Sequence, residues 1–340
     1  MQFYMNNIDQ AFTCDDVLMV PRQSTIKTRD DIDLSTNVGP LHLSIPIISA
    51  NMDTITGPKM FNVMKEAGGW GWLHRFEEED VRLQWALNGL PITIGVGLKE
   101  LEFAKECIDH DCNHICIDIA HGDSIYLIDT VKEIRNWSPS IIICAGNICT
   151  PSGALRLIDA GADIIKCGVG PGAVCSTRSV TGHGFPQLSA IDEISETFRR
   201  RSLSGIGLIA DGGIRTSGDI VKYLAVGADA VMIGRLFAGT EETPAPIVLR
   251  NGSGLFKEYR GMASERASNS RPGKFSSRTP EGISTYIPYQ GSVLTILENL
   301  LGGIRSGFSY SGANNIEELR NNATFVRVSS LSLIESNIRN

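Results

Sequence analysis

The sequence lacks the features that mark membrane proteins and nucleic-acid-binding proteins. No segment approaches the roughly 18 consecutive apolar residues that a bilayer-spanning helix needs. The N-terminal segment MQFYMNNIDQAFTCDD has acidic residues and no apolar centre, so it does not resemble a secretory signal peptide. No long basic run is present and the net charge is −7, whereas affinity for a phosphate backbone comes from clustered cations. We therefore expect a cytoplasmic protein that binds neither membranes nor nucleic acids.

The cysteines do not indicate disulfide bonds or zinc. Eight cysteines in a chain of 340 residues are not a disulfide-framed miniprotein, and in a cytosolic chain we expect them to be reduced. Cys107, Cys112, His114 and Cys116 lie close together, but their order lacks a C-x2-C pair and the last two lie in HICIDIA, which has the pattern of a buried strand. Structural zinc is the minor alternative.

Short apolar runs that end in Gly, Asn, Asp or His recur along the chain. The eight runs are 45–51, 70–75, 92–97, 114–122, 141–147, 163–170, 207–213 and 230–235. Continuous apolar runs are typical of strands that are buried on both faces, as in a parallel sheet covered by helices. With 42% hydrophobic and 20% charged residues, the chain has enough apolar material for one large core.

Segments between the runs have the pattern of amphipathic helices. The first four are 57–68, 77–88, 98–109 and 123–136. Thr150 before Pro151 supplies an N-cap and a first-turn proline, and Thr216 before Ser217 begins a later helix. Eight strand-then-helix units predict an α/β fold, a TIM (β/α)8 barrel that forms a single domain over residues 1–340. A doubly wound parallel sheet is the alternative.

Two loops that follow predicted strands are oversized. The sixth and seventh runs start 44 residues apart, and roughly fifty residues separate the eighth run from the next helical pattern. In a TIM barrel these loops form the active-site face. We predict that 168–187 is a catalytic cysteine loop and that 240–290 is a mobile flap region, whose Ser, Arg, Asn and Gly content suggests ordering with ligand.

Glycines follow the last two predicted strands. Gly212 and Gly213 end the seventh run, and Gly234 with Arg235 ends the eighth, where barrels commonly hold a substrate phosphate. Free backbone N–H groups can bind the anion there. The alternative is that these glycines only make tight turns.

Polar side chains also stand at the ends of predicted strands. Asp118, Asn147 and Asp211 can each bind ribose hydroxyls, although each could instead cap the next helix. Together they predict a nucleotide site. GVGPGA (168–173) matches the weak dinucleotide fingerprint, but the following residues are rich in helix breakers, which disfavours a Rossmann fold. Its successive carbonyls could instead bind a monovalent cation.

Cys175 is the best nucleophile candidate in the chain. It lies in a polar loop, whereas a structural cysteine prefers an apolar strand. Peptide N–H groups and the nearby Arg178 can lower a thiol pKa from about 8.5 toward thiolate formation. Thr177 offers a hydroxyl that can pass a proton near the same centre.

Ordered motifs over nearly the whole chain resemble one family. They are ANMDT (50–54), IDIAHG (117–122), GVGPGAVCSTR (168–178), TGHGFPQLSA (181–190), IADGGIRTSGD (209–219), MIGRLFAGTEE (232–242), EYRGMASE (258–265), PEG (280–282) and GGIRSGFSYSG (302–312). The sequence resembles the IMP dehydrogenase / GMP reductase family. This resemblance implies a TIM barrel, usually tetrameric, in which a cysteine attacks C2 of a purine mononucleotide and forms a covalent thioimidate.

Two features make the chain most like the reductases of this family. The dehydrogenases typically carry a CBS insert after the second strand, and residues 74–97 leave no room for one. They also have a longer flap with an Arg-Tyr pair that activates water, whereas Met262 and Glu281 are 19 positions apart and Arg271 precedes Pro272. The alternatives are an IMP dehydrogenase that lacks the insert and a purine-nucleotide-binding barrel without catalysis.

The resemblance implies that NADPH reduces GMP to IMP with release of ammonia, and it assigns roles by motif. The catalytic residues would be Cys175, Thr177 and Glu281. Substrate contacts would come from Asp211, Gly212, Gly213, Gly234, Arg235, Met262 and Ala263, although relatives often have serine or glycine in place of Arg235. The cofactor would contact Asp118, Ile119, Ala120 and Arg278, and a neighbouring subunit's cofactor would contact Ser306, Gly307, Phe308 and Ser309. Potassium would bind the carbonyl groups of Gly170, Gly172 and Cys175.

Overall fold

The computed structural model describes residues 10–250, 252, 254–269, 279–329 and 331–336. The chain begins with strand β1 (Val17–Met19), a 3-10 helix (Arg29–Asp31) and the antiparallel hairpin β2 (Thr36–Val38) and β3 (Leu41–Leu43). Gly39, at the hairpin turn, lies so close to the backbone of Gly207 that a Cβ there would be 3.2 Å from its nitrogen. The hairpin therefore covers the amino end of the barrel strands.

Eight parallel strands follow and form a closed barrel. They are β4 (Ile47–Ser49), β5 (Trp70–Gly71), β6 (Ile92–Ile94), β7 (His114–Asp118), β8 (Ile142–Ile148), β9 (Ile164–Cys167), β10 (Gly207–Asp211) and β11 (Ala230–Ile233). Each pairs with its neighbours in chain order, β11 pairs with β4, and a parallel bridge between Leu73 and Ile92 joins β5 to β6. The predicted TIM barrel is confirmed, and the doubly wound alternative is wrong.

Most of the strands are shorter than the apolar runs that predicted them. Gly168, Gly212 and Gly234 lie beyond their strands, in the loops at the carboxyl face, whereas Asp118, Asn147 and Asp211 lie in the last residues of β7, β8 and β10. The strand interiors are buried on both faces, since β4, β6, β9 and β11 are buried throughout. Burial on both faces is the reason that these strands read as continuous apolar runs.

Helices cover the outside of the barrel. They are α1 (Pro58–Glu66), α2 (Glu79–Leu87), α3 (Leu98–Asp109), α4 (Ile125–Trp137), α5 (Pro151–Ala160), α7 (Gln187–Arg200) and α8 (Ser217–Ala225), whereas the short helix α6 (Thr177–Thr181) lies in the loop between β9 and α7. The predicted caps are present: Thr150 accepts from the N–H of Gly153, and Thr216 forms a capping box with Asp219. Among the described helices, none combines the length and apolar character needed to cross a bilayer.

The segment after β11 has its own sheet. Strands β12 (Ile247–Leu249), β13 (Leu255–Arg260) and β14 (Ser284–Pro288) pair antiparallel, and the short helix α9 (Glu265–Asn269) lies between the last two. The chain ends with α10 (Val293–Tyr310), α11 (Ile316–Asn322), β15 (Phe325–Arg327) and α12 (Leu331–Glu335), and β15 pairs with β1. The predicted flap region 240–290 thus contains regular structure, and its residues 270–278 lie outside the described residues.

The predicted catalytic loop contains a helix that the sequence pattern did not predict. We expected no helix directly after GVGPGA, yet α6 follows Ser176 and continues for five residues. It ends at Gly182, whose φ of 72° is in the left-handed region. The helix breakers that disfavoured a helix therefore limit it to little more than one turn.

Candidate active site

The predicted catalytic loop, residues 168–187, crosses the mouth of the barrel over the end of β10. A Cβ on Gly168 would collide with the carbonyl oxygen of Asp211, and one on Gly212 would be 3.3 Å from the Pro171 ring. Gly213 packs against Pro171 in the same way. Because these positions lack side chains, the loop and the two glycines can lie in direct contact above the strand ends.

Backbone hydrogen bonds join residues 174–176, the cysteine segment, to residues 281–283 near the end of the predicted flap region. The N–H of Ser176 donates to the carbonyl of Glu281 at 2.9 Å, and the N–H of Ile283 donates to the carbonyl of Val174 at 2.9 Å. These two bonds form a short antiparallel bridge on both sides of Cys175. The two long loops of the barrel therefore meet at the predicted nucleophile.

Residues 261–264, in the middle of the predicted flap region, join the same arrangement. The N–H of Glu281 donates to the carbonyl of Ala263 at 3.0 Å, and Ser264 forms a parallel bridge with Gly282. A Cβ on Gly261 would be 2.9 Å from the carbonyl oxygen of Val174. Residues 261–264, residues 281–283 and the cysteine segment thus form one compact backbone layer. This layer holds Ala263 and Glu281 next to Cys175.

Cys175, Thr177 and Glu281 form a continuous chain of hydrogen bonds. The Cys175 thiol donates to the Thr177 hydroxyl oxygen at 3.2 Å, and that hydroxyl donates to a Glu281 carboxylate oxygen at 2.9 Å. Thr177 is the first residue of α6, so the helix start orients its side chain. This geometry allows a proton to move from the thiol toward the carboxylate through the hydroxyl.

Cys175 is the only one of the eight cysteines that is exposed. Burial raises the pKa of Cys14 and of Cys107 to about 12 and that of Cys112 to about 11. Burial also raises the pKa of Cys116, Cys149 and Cys167. Since the thiolate is the reactive form, these six thiols are poorly suited to nucleophilic attack.

We predict that iodoacetamide labels Cys175 fastest and that GMP suppresses this labelling. Cys175 is exposed, whereas the other cysteines are buried or half-buried. Peptide mass spectrometry after short exposure measures the modified fraction at each position. Equal labelling of all eight cysteines, or labelling of Cys175 that GMP does not slow, would count against a reactive thiol in the substrate site.

Arg178 has a different contact from the one that the sequence suggested. Its guanidinium donates to the carbonyl of Phe185 at 2.6 Å, and its side chain packs over Gly170 and Gly184. Arg178 therefore joins the start and the end of the catalytic loop. Its electrostatic influence on Cys175 stays a prediction.

The three polar residues predicted at strand ends meet around a buried lysine. The Lys166 ammonium lies 2.7 Å from an oxygen of Asp118 and 2.7 Å from an oxygen of Asp211, and it donates to the Asn147 side-chain oxygen. The Asn147 amide in turn donates to Asp211 at 2.9 Å and to the Gly168 carbonyl at 2.7 Å. Four neighbouring strands, β7 to β10, thus contribute to one network.

Sequence reasoning missed Lys166. The available signal was a lysine inside the apolar run 163–170, a position where an unpaired charge would be costly. Lys166 is 2% exposed. Burial by itself lowers the pKa of Lys166, but the charges of Asp118 and Asp211 outweigh it, so that the pKa lies well above its usual value. The lysine is therefore a fixed buried cation.

The predicted phosphate site after β10 and β11 has glycines in the expected backbone conformation, and one further residue contacts it. Gly212 and Gly213 have φ values of 91° and 78°, in the region that favours glycine. A Cβ on Gly234 would be 3.0 Å from the Tyr259 hydroxyl, and Tyr259 is 3% exposed. Sequence reasoning missed Tyr259, although it lies in the motif EYRGMASE. The side chain of Arg235 is exposed beside this site.

Met262 is held by a pair of charged residues that the sequence analysis did not single out. Arg260 and Asp53 form an ion pair at 2.6 Å, and the N–H of Asp53 lies 3.5 Å from the Met262 sulfur. Arg260 ends β13, and Asp53 lies in the loop after β4. The pair therefore fixes the start of the predicted flap to the barrel.

The remaining predicted cofactor residues lie in three different places. Ile119 follows Asp118 directly, and its backbone exchanges hydrogen bonds with the β8 end at 3.0 Å, so that Ile119 and Ala120 lie at the barrel mouth. Residues 306–309 lie on α10, where Gly307 packs against Val221 of α8 on the outside of the barrel. They are not brought to the Cys175 of their own chain. Arg278 lies outside the described residues.

The predicted potassium ligands lie in one tight loop. The carbonyl of Gly172 accepts the Cys175 N–H at 3.1 Å, which folds the Gly170–Cys175 segment back on itself. A carbonyl oxygen has a second lone pair, so this hydrogen bond leaves one acceptor site for an ion. The loop fits a monovalent cation in this respect. Within the described residues, no group of three or more His, Cys, Asp and Glu side chains forms a metal site.

Comparison with known proteins identifies the family. The family model of the IMP dehydrogenase / GMP reductase domain matches residues 11–85 and 88–339. The chain belongs to the IMP dehydrogenase / GMP reductase family. Because the match is interrupted only at residues 86 and 87, no CBS insert is present in the matched segment of the barrel.

Both branches of the family are represented among similar proteins. The chain is 35% identical to an inosine-5'-monophosphate dehydrogenase of Borreliella burgdorferi, covering 96% of each chain, and 37% identical to a GMP reductase of Shewanella pealeana, covering 92% and 93%. A crystal structure of a GMP reductase variant from Trypanosoma brucei in complex with guanosine 5'-monophosphate matches with a TM-score of 0.91 at 28% identity over both full chains. Membership of this family indicates an oxidoreductase and does not decide between dehydrogenase and reductase.

Proposed function

We propose that the protein is a GMP reductase that uses NADPH to convert GMP to IMP with release of ammonia. The observation that carries this proposal is the hydrogen-bonded chain from Cys175 through Thr177 to Glu281. A protein that only bound nucleotides would have no need of an exposed thiol with a proton acceptor. Similarity to GMP reductases, including one with bound guanosine 5'-monophosphate, supports the substrate class.

Two properties of the flap favour the reductase over the dehydrogenase. The segment between Met262 and Glu281 has the shorter reductase length, and Arg271 is followed by Pro272 instead of tyrosine. An Arg-Tyr pair activates water in the dehydrogenases that this sequence resembles. Without that pair, the covalent intermediate has no dedicated group to promote its hydrolysis, and reduction is the favoured outcome.

The proposed reaction begins at Cys175. Its thiol would give a proton to the Thr177–Glu281 pair, and the sulfur would form a bond to C2 of the purine while the C2–N3 double bond becomes single and re-forms when the amino group leaves. The same pair returns a proton to the amino group, and the C2–N bond breaks so that ammonia leaves. Bound NADPH would supply the hydride that C2 takes up. The sulfur of Cys175 would then leave C2 as a thiolate to give IMP, and a proton from solvent would restore the thiol. The residues contribute orientation and proton transfer.

We assign binding roles on the same basis. For GMP they are Asp211, Gly212, Gly213, Gly234, Arg235, Met262 and Ala263. For the cofactor of the same subunit they are Asp118, Ile119, Ala120 and Arg278. For a neighbouring subunit's cofactor they are Ser306, Gly307, Phe308 and Ser309 on α10, where Phe308 is buried in its own chain, and the assembly would be a homotetramer. For potassium they are the carbonyl groups of Gly170, Gly172 and Cys175, which would hold the loop shape.

The assignments also define how the chain is organised. Residues 1–340 would act as one barrel domain in the cytoplasm, with 168–187 as the catalytic loop and 240–290 as the mobile flap region.

Turnover assays test the proposed reaction directly. We expect the purified protein to oxidise NADPH in the presence of GMP, and to give no absorbance change with IMP and NAD. Nicotinamide absorbance measures both reactions. Turnover of only IMP and NAD would identify an IMP dehydrogenase that lacks the CBS insert, which the 35% identity to the Borreliella burgdorferi dehydrogenase keeps as the second candidate. Nucleotide binding without turnover of either pair would indicate a non-catalytic barrel.

A further inference from the structure

The buried Lys166 lies between the two halves of the proposed site. Its ammonium contacts Asp118, which the proposed function assigns to the cofactor, and Asp211, which it assigns to GMP, at 2.7 Å each. No role has been given to Lys166 so far. Since the side chain is 2% exposed and enclosed by these partners, it does not reach a ligand itself.

The two carboxylates depend on this one cation. Asp118 and Asp211 approach the same ammonium from neighbouring parts of the barrel mouth, so their negative charges face each other across Lys166. Removing one partner of a buried charge group leaves the others uncompensated, which is strongly unfavourable. Without the ammonium, the two carboxylates would repel each other and turn away from their present positions.

Asn147 extends the arrangement to the catalytic loop. Its amide oxygen accepts from Lys166, and its amide nitrogen donates to Asp211 and to the carbonyl of Gly168, where the loop begins. The lysine therefore orients the amide as well as the carboxylates. A change at Lys166 would be transmitted to both ligand sites and to the loop that carries Cys175.

We propose that Lys166 is a positioning residue that orients the GMP-binding and the cofactor-binding carboxylates at the same time. This inference rests on the proposed function, because that function assigns the two carboxylates to different ligands. Lys166 acts through Asp118 and Asp211. Loss of this one buried ammonium should therefore weaken the binding of two separate ligands.

The first test compares two buried lysines. Lys166→Met removes the ammonium and keeps an unbranched stem of four heavy atoms, and we expect the dissociation constants of GMP and of NADPH each to rise at least about tenfold. Lys257→Met is the matched control, because Lys257 is 3% exposed and its ammonium contacts backbone carbonyls and the hydroxyl of Thr243. Lys257→Met should leave both constants within about threefold. Calorimetric titration of the full-length protein measures both.

A double-mutant cycle separates positioning from a general loss of structure. Asp118→Asn alone should weaken NADPH binding and leave GMP binding within about threefold. Combining it with Lys166→Met removes the repulsion on Asp211, so GMP affinity should recover at least about threefold from that of Lys166→Met. Additive losses, or unchanged binding of both ligands in Lys166→Met, would overturn the proposal.

Two further measurements keep the result interpretable. If Lys166→Met alone does not fold, Lys166→Gln, which removes the charge and keeps hydrogen-bond donors toward the carboxylates, takes its place in both comparisons, and unchanged binding of both ligands in that variant would overturn the proposal. Each titration is repeated with IMP and NAD. If the parent protein binds only that pair, the proposed reaction is wrong, and the role of Lys166 is decided with the ligands that bind.

Discussion

Replacement of Cys175 by alanine is expected to lower the kcat for GMP reduction by at least about 10⁴-fold, because the covalent route requires a nucleophile at this position. GMP affinity should stay within about threefold of that of the parent protein, since the binding contacts proposed for GMP lie on other residues. The thiol projects from a backbone layer that its flanking residues form, so its removal leaves the hydrogen bonds of Ser176 and Val174 intact. Stopped-flow absorbance of NADPH and calorimetric titration of GMP measure the two quantities.

Cys149→Ala is the matched control for this substitution. Cys149 is the half-buried cysteine after β8, and burial raises the pKa of its thiol. We expect its kcat to stay within about twofold of that of the parent protein. A Cys175→Ala variant with the parent rate would show that no covalent bond to this sulfur is needed, and the mechanism would then have to be abandoned. Mass spectrometry of acid-quenched enzyme provides a second readout, a GMP-derived adduct at Cys175 in the parent protein alone.

The sequence predicted the barrel because its strands are buried on both faces. The run 163–170, for example, is apolar enough to mark β9 without any alternation. The sheet of β12, β13 and β14 could not be predicted in the same way. Its strands are partly exposed: β13 has two alternate buried residues, β14 has one and β12 has none, and they lie within a segment whose composition is typical of loops. Their pairing comes from tertiary contacts.

The candidate site was predictable where a residue type in a loop is unusual, as for Cys175. It was not predictable where chemistry depends on distant partners. Glu281 is 104 positions after Thr177, and only resemblance to a family pointed to it. Lys166 had a local signal, but its partners Asp118 and Asp211 come from other strands, so only the closed barrel shows what it contacts. Local sequence patterns do not show which distant residues come into contact in the folded barrel.

The second large effect is expected at the proton acceptor of the thiol. Glu281→Gln keeps an oxygen that can accept the Thr177 hydroxyl, but an amide cannot take up a proton, so kcat should fall roughly 10²–10⁴-fold. Thr177→Val breaks the chain of hydrogen bonds at its middle member, and its kcat should fall by a similar factor. Thr177→Ser restores a hydroxyl at this position, and we expect it to recover most of the rate. NADPH absorbance under saturating GMP measures all three variants.

Ser179→Ala serves as the control, because Ser179 lies in the same short helix and its hydroxyl donates to the carbonyl of Ser176. It removes a hydroxyl from α6 without touching the proton chain, so its rate should match that of the parent protein. The alkylation rate of Cys175 adds an independent readout: the thiol loses its proton through Thr177 to Glu281, so Glu281→Gln should slow alkylation as well as turnover. Slow turnover with unchanged alkylation would restrict Glu281 to the departure of ammonia. If Glu281→Gln had the rates of the parent protein in both assays, Glu281 would have no part in the mechanism.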